Sequence, residues 1–318
     1  MKIYGAGMAG LLAGQMLRRF NPTICEQKES LPHNHEALLR FRSDDVSIAT
    51  GIPFKKVHVH KAIKYGNEIE TIPNLFYSNL YSGKVIGAYL DRSINNLDSV
   101  DRFISPFNFI ELMAQNLNIE YNTPLDHSKC VDARYGMKND GDSFPLITTI
   151  PMPMMMDIVE WEKKPIFNYK TIWSQKTIIE DPEVCVNQTI YYPDPKTNFY
   201  RISITDNVVI AEYIIEPKNT GPDIMGALRD DFGIDACKLA PIAQTEMKYG
   251  KLLPIDENIR KEFILYLTQE YNIFSVGRFA TWRQLLLDDV VKDIKIVEGL
   301  IGDAYKTKLQ SEKGKKDV

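Results

Sequence analysis

Residues 1–27 read MKIYGAGMAGLLAGQMLRRFNPTICEQ, and this stretch decides the fold. A short apolar strand leads into a G-x-G-x-x-G loop, an apolar helix and a second strand that ends on Glu26. In such a βαβ unit Gly5 permits the tight turn, Gly7 lets the backbone approach a pyrophosphate, and Gly10 lets helix and strand pack closely. An acid roughly twenty residues after the loop accepts hydrogen bonds from a ribose and repels a 2′-phosphate. The stretch therefore predicts a dinucleotide site, with its first strand central in a sheet.

The start of the predicted helix belongs to the same site. A helix N-terminus carries unpaired N–H groups and a partial positive charge, and both attract phosphates. The residues expected to contact a dinucleotide here are Gly5, Ala6, Gly7, Met8, Ala9, Gly10, Glu26 and Gln27.

Composition narrows the class of protein. The chain has 318 residues, enough for two lobes, and its net charge of −4 provides no basic footprint for nucleic acid. No apolar run approaches the length of a membrane span, so we expect neither a nucleic-acid nor a membrane partner. None of the four cysteines lies in a C-x-x-C pair, which predicts reduced thiols. Since the fingerprint leaves no room for a signal peptide, we expect a cytoplasmic protein.

Two histidines alternate with valines in the segment Val57-His58-Val59-His60, so they share one face of a predicted strand. Histidines at i and i+2 can chelate a metal, but no third ligand lies nearby in the sequence. A half-exposed strand explains the same alternation. We therefore predict a strand and no metal site.

The remaining segments alternate between helical and strand patterns. Helices are predicted over 101–118, 223–232, 261–271 and 288–300. Strands are predicted over 119–121, 130–133, 144–150, 189–192, 199–204, 208–213 and 273–276, with shorter strand-like pieces such as 85–90.

These patterns predict an α/β protein with two lobes. The first is a Rossmann-like domain of the three-layer β/β/α type, built from 1–60, 100–150 and 255–305. The second is a substrate domain with a mainly antiparallel sheet, built from 61–99 and 151–254. The polar residues 306–318 are expected to be a disordered tail. A nucleotide domain completed by three separated pieces favours tightly held FAD over NAD.

Four stretches carry a resemblance to a known family. They are IYGAGMAGLLAG (3–14) with Glu26, LITTIPMP (146–153), YYPDPKTNFYRISI (191–204) and SVGRFATWRQLLLDDVV (275–291). Together they resemble the glutathione-reductase-type FAD-binding flavoproteins. The branch they resemble contains UDP-galactopyranose mutase, protoporphyrinogen oxidase and the amine oxidases.

The resemblance implies a non-covalent FAD with contacts outside the glycine loop. Gly277 and Arg278 would lie by the pyrophosphate and ribityl chain, and Trp282 and Leu286 near the isoalloxazine. Arg40, in the loop after the second strand, would lie along the cofactor. The alternatives are an ion pair from Arg278 to Asp288 or Asp289, and a solvated position for Arg40 at a strand edge.

Function follows from the implied cofactor. The leading hypothesis is an FAD-dependent oxidoreductase that takes a hydride from a small-molecule substrate, an amine being one candidate. The second is a non-redox flavin mutase or isomerase acting on a nucleotide-linked sugar, and the third is a binding protein with a vestigial nucleotide fold. Substrate contacts are predicted from Tyr191, Tyr192, Phe199, Tyr200 and, as a diphosphate clamp, Arg201. Sheet core for the aromatic residues and a surface position for the arginine are the alternatives.

Overall fold

The computed structural model describes residues 1–31, 40–88, 93–139, 145–181, 183–218, 221–235 and 238–316. The strands are β1 (Lys2–Tyr4), β2 (Thr23–Cys25), β3 (Arg40–Phe41), β4 (Lys55–Tyr65), β5 (Glu68–Glu70), β6 (Val100–Ile104), β7 (Asn118–Glu120), β8 (Leu146–Thr148), β9 (Tyr169–Ile179), β10 (Val186–Tyr191), β11 (Phe199–Asp206), β12 (Val208–Tyr213), β13 (Leu239–Leu252) and β14 (Ile273–Ser275). The α-helices are α1 (Met8–Met16), α2 (Asp45–Thr50), α3 (Leu75–Ile86), α4 (Phe109–Ala114), α5 (His127–Asn139), α6 (Met152–Ile158), α7 (Gly221–Phe232), α8 (Glu257–Tyr271) and α9 (Leu287–Lys316). Among these described residues, no helix combines the length and the apolar character needed to cross a bilayer.

A five-stranded sheet in the order β14-β8-β1-β2-β7 forms the first lobe, and neighbouring strands in it run parallel. β1 is the central strand, as predicted. Its Ile3 joins a core formed with α1, α2, α4 and α9, whereas the neighbouring Tyr4 points into a second core with α5, α6 and α8. This alternation places helices on both faces, as in doubly wound α/β folds.

The second lobe is a curled sheet in the order β13-β9-β12-β11-β10-β4-β6-β3, with β5 paired to β4. Most of its pairs are antiparallel, and β10 runs parallel to β4. α7 covers one face through a core that includes Ile190 and Ile202. α3 covers part of the opposite face through a core that includes Tyr191 and Tyr200. The predicted class, an α/β protein with a Rossmann-like domain and a second, mainly antiparallel sheet, is confirmed.

Two predicted strands are helical. The piece predicted over 85–90 begins inside α3, and residues 89–90 lie outside the described part of the chain. The side chain of Asn74 caps this helix by accepting a hydrogen bond of 2.8 Å from the amide of Phe76. The side chains of Tyr81 and Val85 are buried at helical spacing. The strand predicted over 130–133 lies within α5. Its short apolar run was ambiguous between the two structures, and burial of Cys130 beside α8 decided it.

The helix predicted over 101–118 divides into a strand, a helix and a second strand. Its first residues form β6, which pairs with β4, and Pro106 then separates this strand from α4. Consequently β3, β6 and the first half of β4 extend the second sheet, although the sequence assigned these ranges to the nucleotide domain. The pairing of β6 with β4, which are far apart in the sequence, thus decided the structure of these residues against their local helical pattern.

Residues 306–316, predicted to be part of a disordered tail, are helical. α9 continues through 306–316 as a helix, since lysine, glutamate and glutamine there have good helix propensity and follow an already formed helix. The last two residues lie outside the described range.

Candidate functional site

The glycine loop shows why each of its three glycines is needed. Gly5 has φ +102°, and a Cβ there would lie 2.3 Å from Oγ1 of Thr149. A Cβ on Gly10 would lie 1.8 Å from the carbonyl oxygen of Gly5. A Cβ on Gly7, by contrast, would meet no atom of the described residues within 4 Å. Gly5 and Gly10 are therefore required by packing, whereas Gly7 borders open space at the helix start.

α1 begins at this open space. Gly7 is its N-cap and supplies no side-chain hydrogen bond, and no acidic residue lies in the first turn. Within the described part of the chain, the first amide groups of α1 have no intrahelical or side-chain partner, as an anion-binding helix N-terminus requires.

Glu26 ties the loop to the end of β2. Its side chain is buried, and Oε2 accepts a hydrogen bond of 2.7 Å from the amide of Ala6. Oε1 accepts a second, of 3.0 Å, from the amide of Lys28. These bonds fix the carboxylate beside the glycine loop, the place at which the sequence predicted a ribose contact. The adjacent Gln27 is exposed.

A segment from the far end of the sequence packs directly on the glycine loop. After β14, Gly277 adopts φ +94°, and a Cβ there would lie 2.7 Å from Cβ of Ala9. Thr281 holds this turn, because its Oγ1 donates a hydrogen bond of 2.8 Å to the carbonyl of Gly277. The structure therefore brings together the two segments that the sequence assigned to one site.

Arg278 follows this turn and reaches β13. Its Nη2 donates a hydrogen bond of 3.1 Å to the carbonyl of Gly250, and its guanidinium lies 5.8 Å from the ring centre of Phe279. Asp289, one alternative partner considered for it, lies 2.6 Å from Nη2 of Arg42. The other, Asp288, accepts one hydrogen bond of 3.2 Å from the backbone amide of Arg42 and one of 3.2 Å from that of Ser43.

Trp282 and Leu286 occupy different environments. Trp282 is buried with φ +46°, and its Nε1 donates a hydrogen bond of 3.0 Å to the carbonyl of Leu253. Its ring packs edge-on against Phe167. Leu286 is 47% exposed and directly precedes α9. Trp282 thus fixes the segment after β14, whereas Leu286 presents its side chain to solvent.

Arg40 has partners other than the phosphate predicted for it. Although it lies on the terminal strand β3, its guanidinium reaches β10 and β11, where it donates to the hydroxyls of Thr189 and Thr205. It also donates to the carbonyls of Gln188 and Ile204. Burial, with repulsion from nearby arginines, lowers the pKa of Arg40 to about 9. This arginine therefore links the terminal strand β3 to the interior strands β10 and β11 of the same sheet.

The predicted substrate residues belong to the second sheet, and their aromatic side chains are buried on two different faces of it. Tyr191 and Tyr200 are core residues, and the hydroxyl of Tyr200 donates a hydrogen bond of 2.9 Å to Glu212. Arg201 forms an ion pair with the same carboxylate. Burial alone would raise the pKa of Glu212, but Arg201 and Lys251 outweigh it and hold that pKa below its usual value. Of the other two aromatic candidates, Tyr192 and Phe199 belong to the core on the opposite face, under α7.

Cationic side chains are concentrated on the face of the sheet that carries Tyr191 and Tyr200. The register puts Lys61 opposite Thr189, and Arg102 belongs to the neighbouring strand β6. Burial, and then repulsion from Arg102, lowers the pKa of Lys61. The guanidinium of Arg40 donates its hydrogen bonds to uncharged hydroxyl and carbonyl oxygens. The guanidinium of Arg102 donates a hydrogen bond to the backbone carbonyl of Asp101. Within the described part of the chain, Arg40, Lys61 and Arg102 thus donate hydrogen bonds to neutral oxygens and form no ion pair with a carboxylate.

Two residues important for this geometry were not predicted. Thr149 packs against Gly5 and donates a hydrogen bond of 3.0 Å to the carbonyl of Tyr4. Glu212 anchors Tyr200 and Arg201. Thr149 lies within the LITTIPMP stretch that resembles the flavoproteins, which was the available signal. Glu212 had no comparable signal, since it is one acid within an apolar strand.

Comparison with known proteins gives a structural likeness only. No family model and no curated protein sequence matches the chain. The fold is similar to that of a reduced UDP-galactopyranose mutase, with TM-score 0.62 and 13% identity over 95% of this chain and 93% of that chain. The fold is also similar to that of an oxidoreductase from Methanosarcina mazei, with TM-score 0.55 and 9% sequence identity over 94% of this chain and 100% of that chain. A third similar structure, the flavin-dependent brominase Bmp2, has TM-score 0.50 and 14% sequence identity over 96% of this chain and 79% of that chain.

Proposed function

We propose that this protein is an FAD-dependent oxidoreductase acting on a small-molecule substrate. The observation that carries the proposal is the open position at Gly7. It lies between two glycines that packing requires, and Gly277 reaches the same loop from the other end of the chain. An ordinary tight turn explains Gly5 and Gly10, but it does not explain an uncapped helix start facing open space.

The residues present fit the parts of a bound FAD. The amides at the start of α1 would face the pyrophosphate, and Glu26 would accept from the adenosine ribose while its buried carboxylate repels a 2′-phosphate. Gly277 and Arg278 would border the phosphate and ribityl chain, and Leu286 would lie near the ring. Arg40 is committed to the second sheet and has no part in this proposal.

When bound, FAD would supply the hydride acceptor. This chain would bind and orient the substrate between the glycine-loop lobe and the second sheet, in the arrangement suggested by its likeness to flavin enzymes. The carboxylate of Glu212, held between Tyr200 and Arg201, would keep the polar part of that sheet fixed. An amine is one substrate that such an enzyme would oxidise.

A second candidate is a non-redox flavin mutase or isomerase. The observation that favours it is the surplus of positive charge near Arg40, Arg102 and Lys61, because an anionic group such as a nucleotide diphosphate would be attracted there. The likeness to a UDP-galactopyranose mutase is consistent with this candidate.

Purified, FAD-loaded protein separates the two candidates. An oxidase turns over substrate with oxygen and no added reductant, so flavin bleaches under anaerobic substrate and returns with air. A mutase is active only after reduction by dithionite and forms product without net consumption of reductant. A protein that takes up no FAD at all would contradict both candidates.

A further inference from the structure

The outer face of β4 carries a pair of histidines with a specific geometry. His58 and His60 lie on the same side of the strand and are exposed. Their ring centres are 5.2 Å apart with an interplanar angle of 82°. Two imidazoles bound to one tetrahedral ion at about 2.0 Å would have ring centres roughly 5 Å apart. The spacing of this pair therefore matches that of two ligands to one metal.

Each ring is held at Nδ1 by the neighbouring chain segment. Nδ1 of His58 lies 3.0 Å from Oδ1 of Asp101, its cross-strand partner, and Nδ1 of His60 lies 2.9 Å from Oγ of Ser99. The other oxygen of Asp101 lies 2.7 Å from Nζ of Lys56. Both rings are thus oriented by hydrogen bonds that leave Nε2 unused by them.

The carboxylate decides which nitrogen of His58 carries the proton. One oxygen of the Asp101 carboxylate lies 2.7 Å from the ammonium of Lys56, and a carboxylate paired in this way accepts hydrogen bonds. Nδ1 of a neutral His58 must then be the donor, and its Nε2 keeps a lone pair. A carboxylate that fixes a histidine in this way is the usual outer-sphere arrangement of metal-binding histidines.

We propose that His58 and His60 form a surface site for a borderline divalent transition metal, bound through the two Nε2 atoms. Within the described residues no group of three or more histidines, cysteines or carboxylates is placed to hold a metal. Water therefore completes the coordination sphere. Imidazole ligands favour Cu²⁺, then Ni²⁺ and Zn²⁺, over Mg²⁺ and Ca²⁺. The site lies outside the proposed flavin site and does not depend on the proposed function.

The test uses full-length protein as purified, after chelator treatment and removal of the chelator. Calorimetric titration near neutral pH with Cu²⁺, Ni²⁺ and Zn²⁺, with Mg²⁺ for comparison, measures affinity. His58→Gln and His60→Gln should each weaken Cu²⁺ binding at least tenfold, because each removes one arm of the chelate. Asp101→Asn should weaken it about tenfold through loss of the outer-sphere carboxylate. All three residues are exposed, so the melting temperature of the metal-free protein serves to check folding.

The chain offers a matched control. His33 and His35 form its other His-x-His pair, and His127 is its remaining histidine. The double variant H33Q/H35Q and the single variant H127Q should bind Cu²⁺ like the parent protein. Electron paramagnetic resonance of the one-Cu²⁺ complex should show two imidazole nitrogens, reduced to one in His58→Gln. Absence of binding, binding unchanged in His58→Gln and His60→Gln, or binding lost in H33Q/H35Q would each overturn the proposal.

Discussion

Replacing Gly7 by valine should remove cofactor binding and leave the fold intact. Gly7 has φ −71° and ψ 177°, an extended conformation that valine adopts readily, and its Cβ would meet no atom of the described residues within 4 Å. The stability of the cofactor-free protein should therefore change by no more than about 0.5 kcal/mol, as for a neutral surface substitution.

The loss of cofactor affinity can be bounded. A valine side chain would fill the space that separates the loop from a phosphate, so at least two hydrogen bonds from backbone amides to the charged group would be lost. Such bonds contribute about 1.5–3 kcal/mol each. Their sum of about 3–6 kcal/mol corresponds to a roughly 10²–10⁴-fold weaker FAD affinity.

Two measurements on each variant make this decisive. Flavin fluorescence quenching on titration of the cofactor-free protein gives affinity, and urea unfolding gives stability. Gly10→Ala is the control, because its Cβ would lie 1.8 Å from a backbone oxygen and should destabilise the fold itself by about 1–3 kcal/mol or more. Folded Gly7→Val that binds FAD as tightly as the parent would refute the assignment of this loop.

Three further predictions concern other positions. Glu26→Ala should weaken FAD binding less than Gly7→Val, by about 1.5–3 kcal/mol for each ribose hydrogen bond lost, and a titration with FAD checks this against an unchanged far-ultraviolet spectrum. Arg278→Lys keeps the charge but loses the planar fork, so FAD affinity should fall while the melting temperature of cofactor-free protein stays the same; equal losses of melting temperature with and without FAD would indicate a purely structural arginine. Burial lowers the pKa of Lys84 to about 8, against about 10.5 in the unfolded chain. Between these two pKa values the unfolded chain keeps a proton on Lys84 that the folded chain has lost. The stability of the parent relative to Lys84→Met should therefore rise with pH from about 8 to 10. A flat or falling difference in urea unfolding would contradict this.

The glycine loop and the βαβ unit could be predicted because their determinants are local. The left-handed turn at Gly5 and the contact of Gly10 with the carbonyl oxygen of Gly5 lie within the loop itself, so the spacing of the glycines indicates both. The close contact of Gly5 with Thr149 comes from a segment 144 positions further along the chain and has no local signal. The strands β10, β11 and β12 were predicted for the same reason, as alternating runs bounded by turn residues. Such signals survive without knowledge of tertiary contacts.

Long-range pairing explains most of what could not be predicted. β6 was read as part of a helix because its apolar residues also fit a helical period, and pairing with β4 decided the outcome. Arg40 is a clearer example, since its hydrogen-bond partners lie 148 to 165 positions further along the chain. The Asp101 and Ser99 contacts of the two histidines were likewise invisible, because they depend on the register between two strands about forty residues apart.

The absorption spectrum of the freshly purified protein shows directly whether the chain holds FAD. We expect a yellow protein whose flavin bands belong to FAD that is released on denaturation, because the site would bind the dinucleotide through hydrogen bonds and charge alone. Chromatography of the released cofactor against FAD and FMN standards identifies it. A colourless protein that binds NAD but takes up no FAD on incubation would contradict the account.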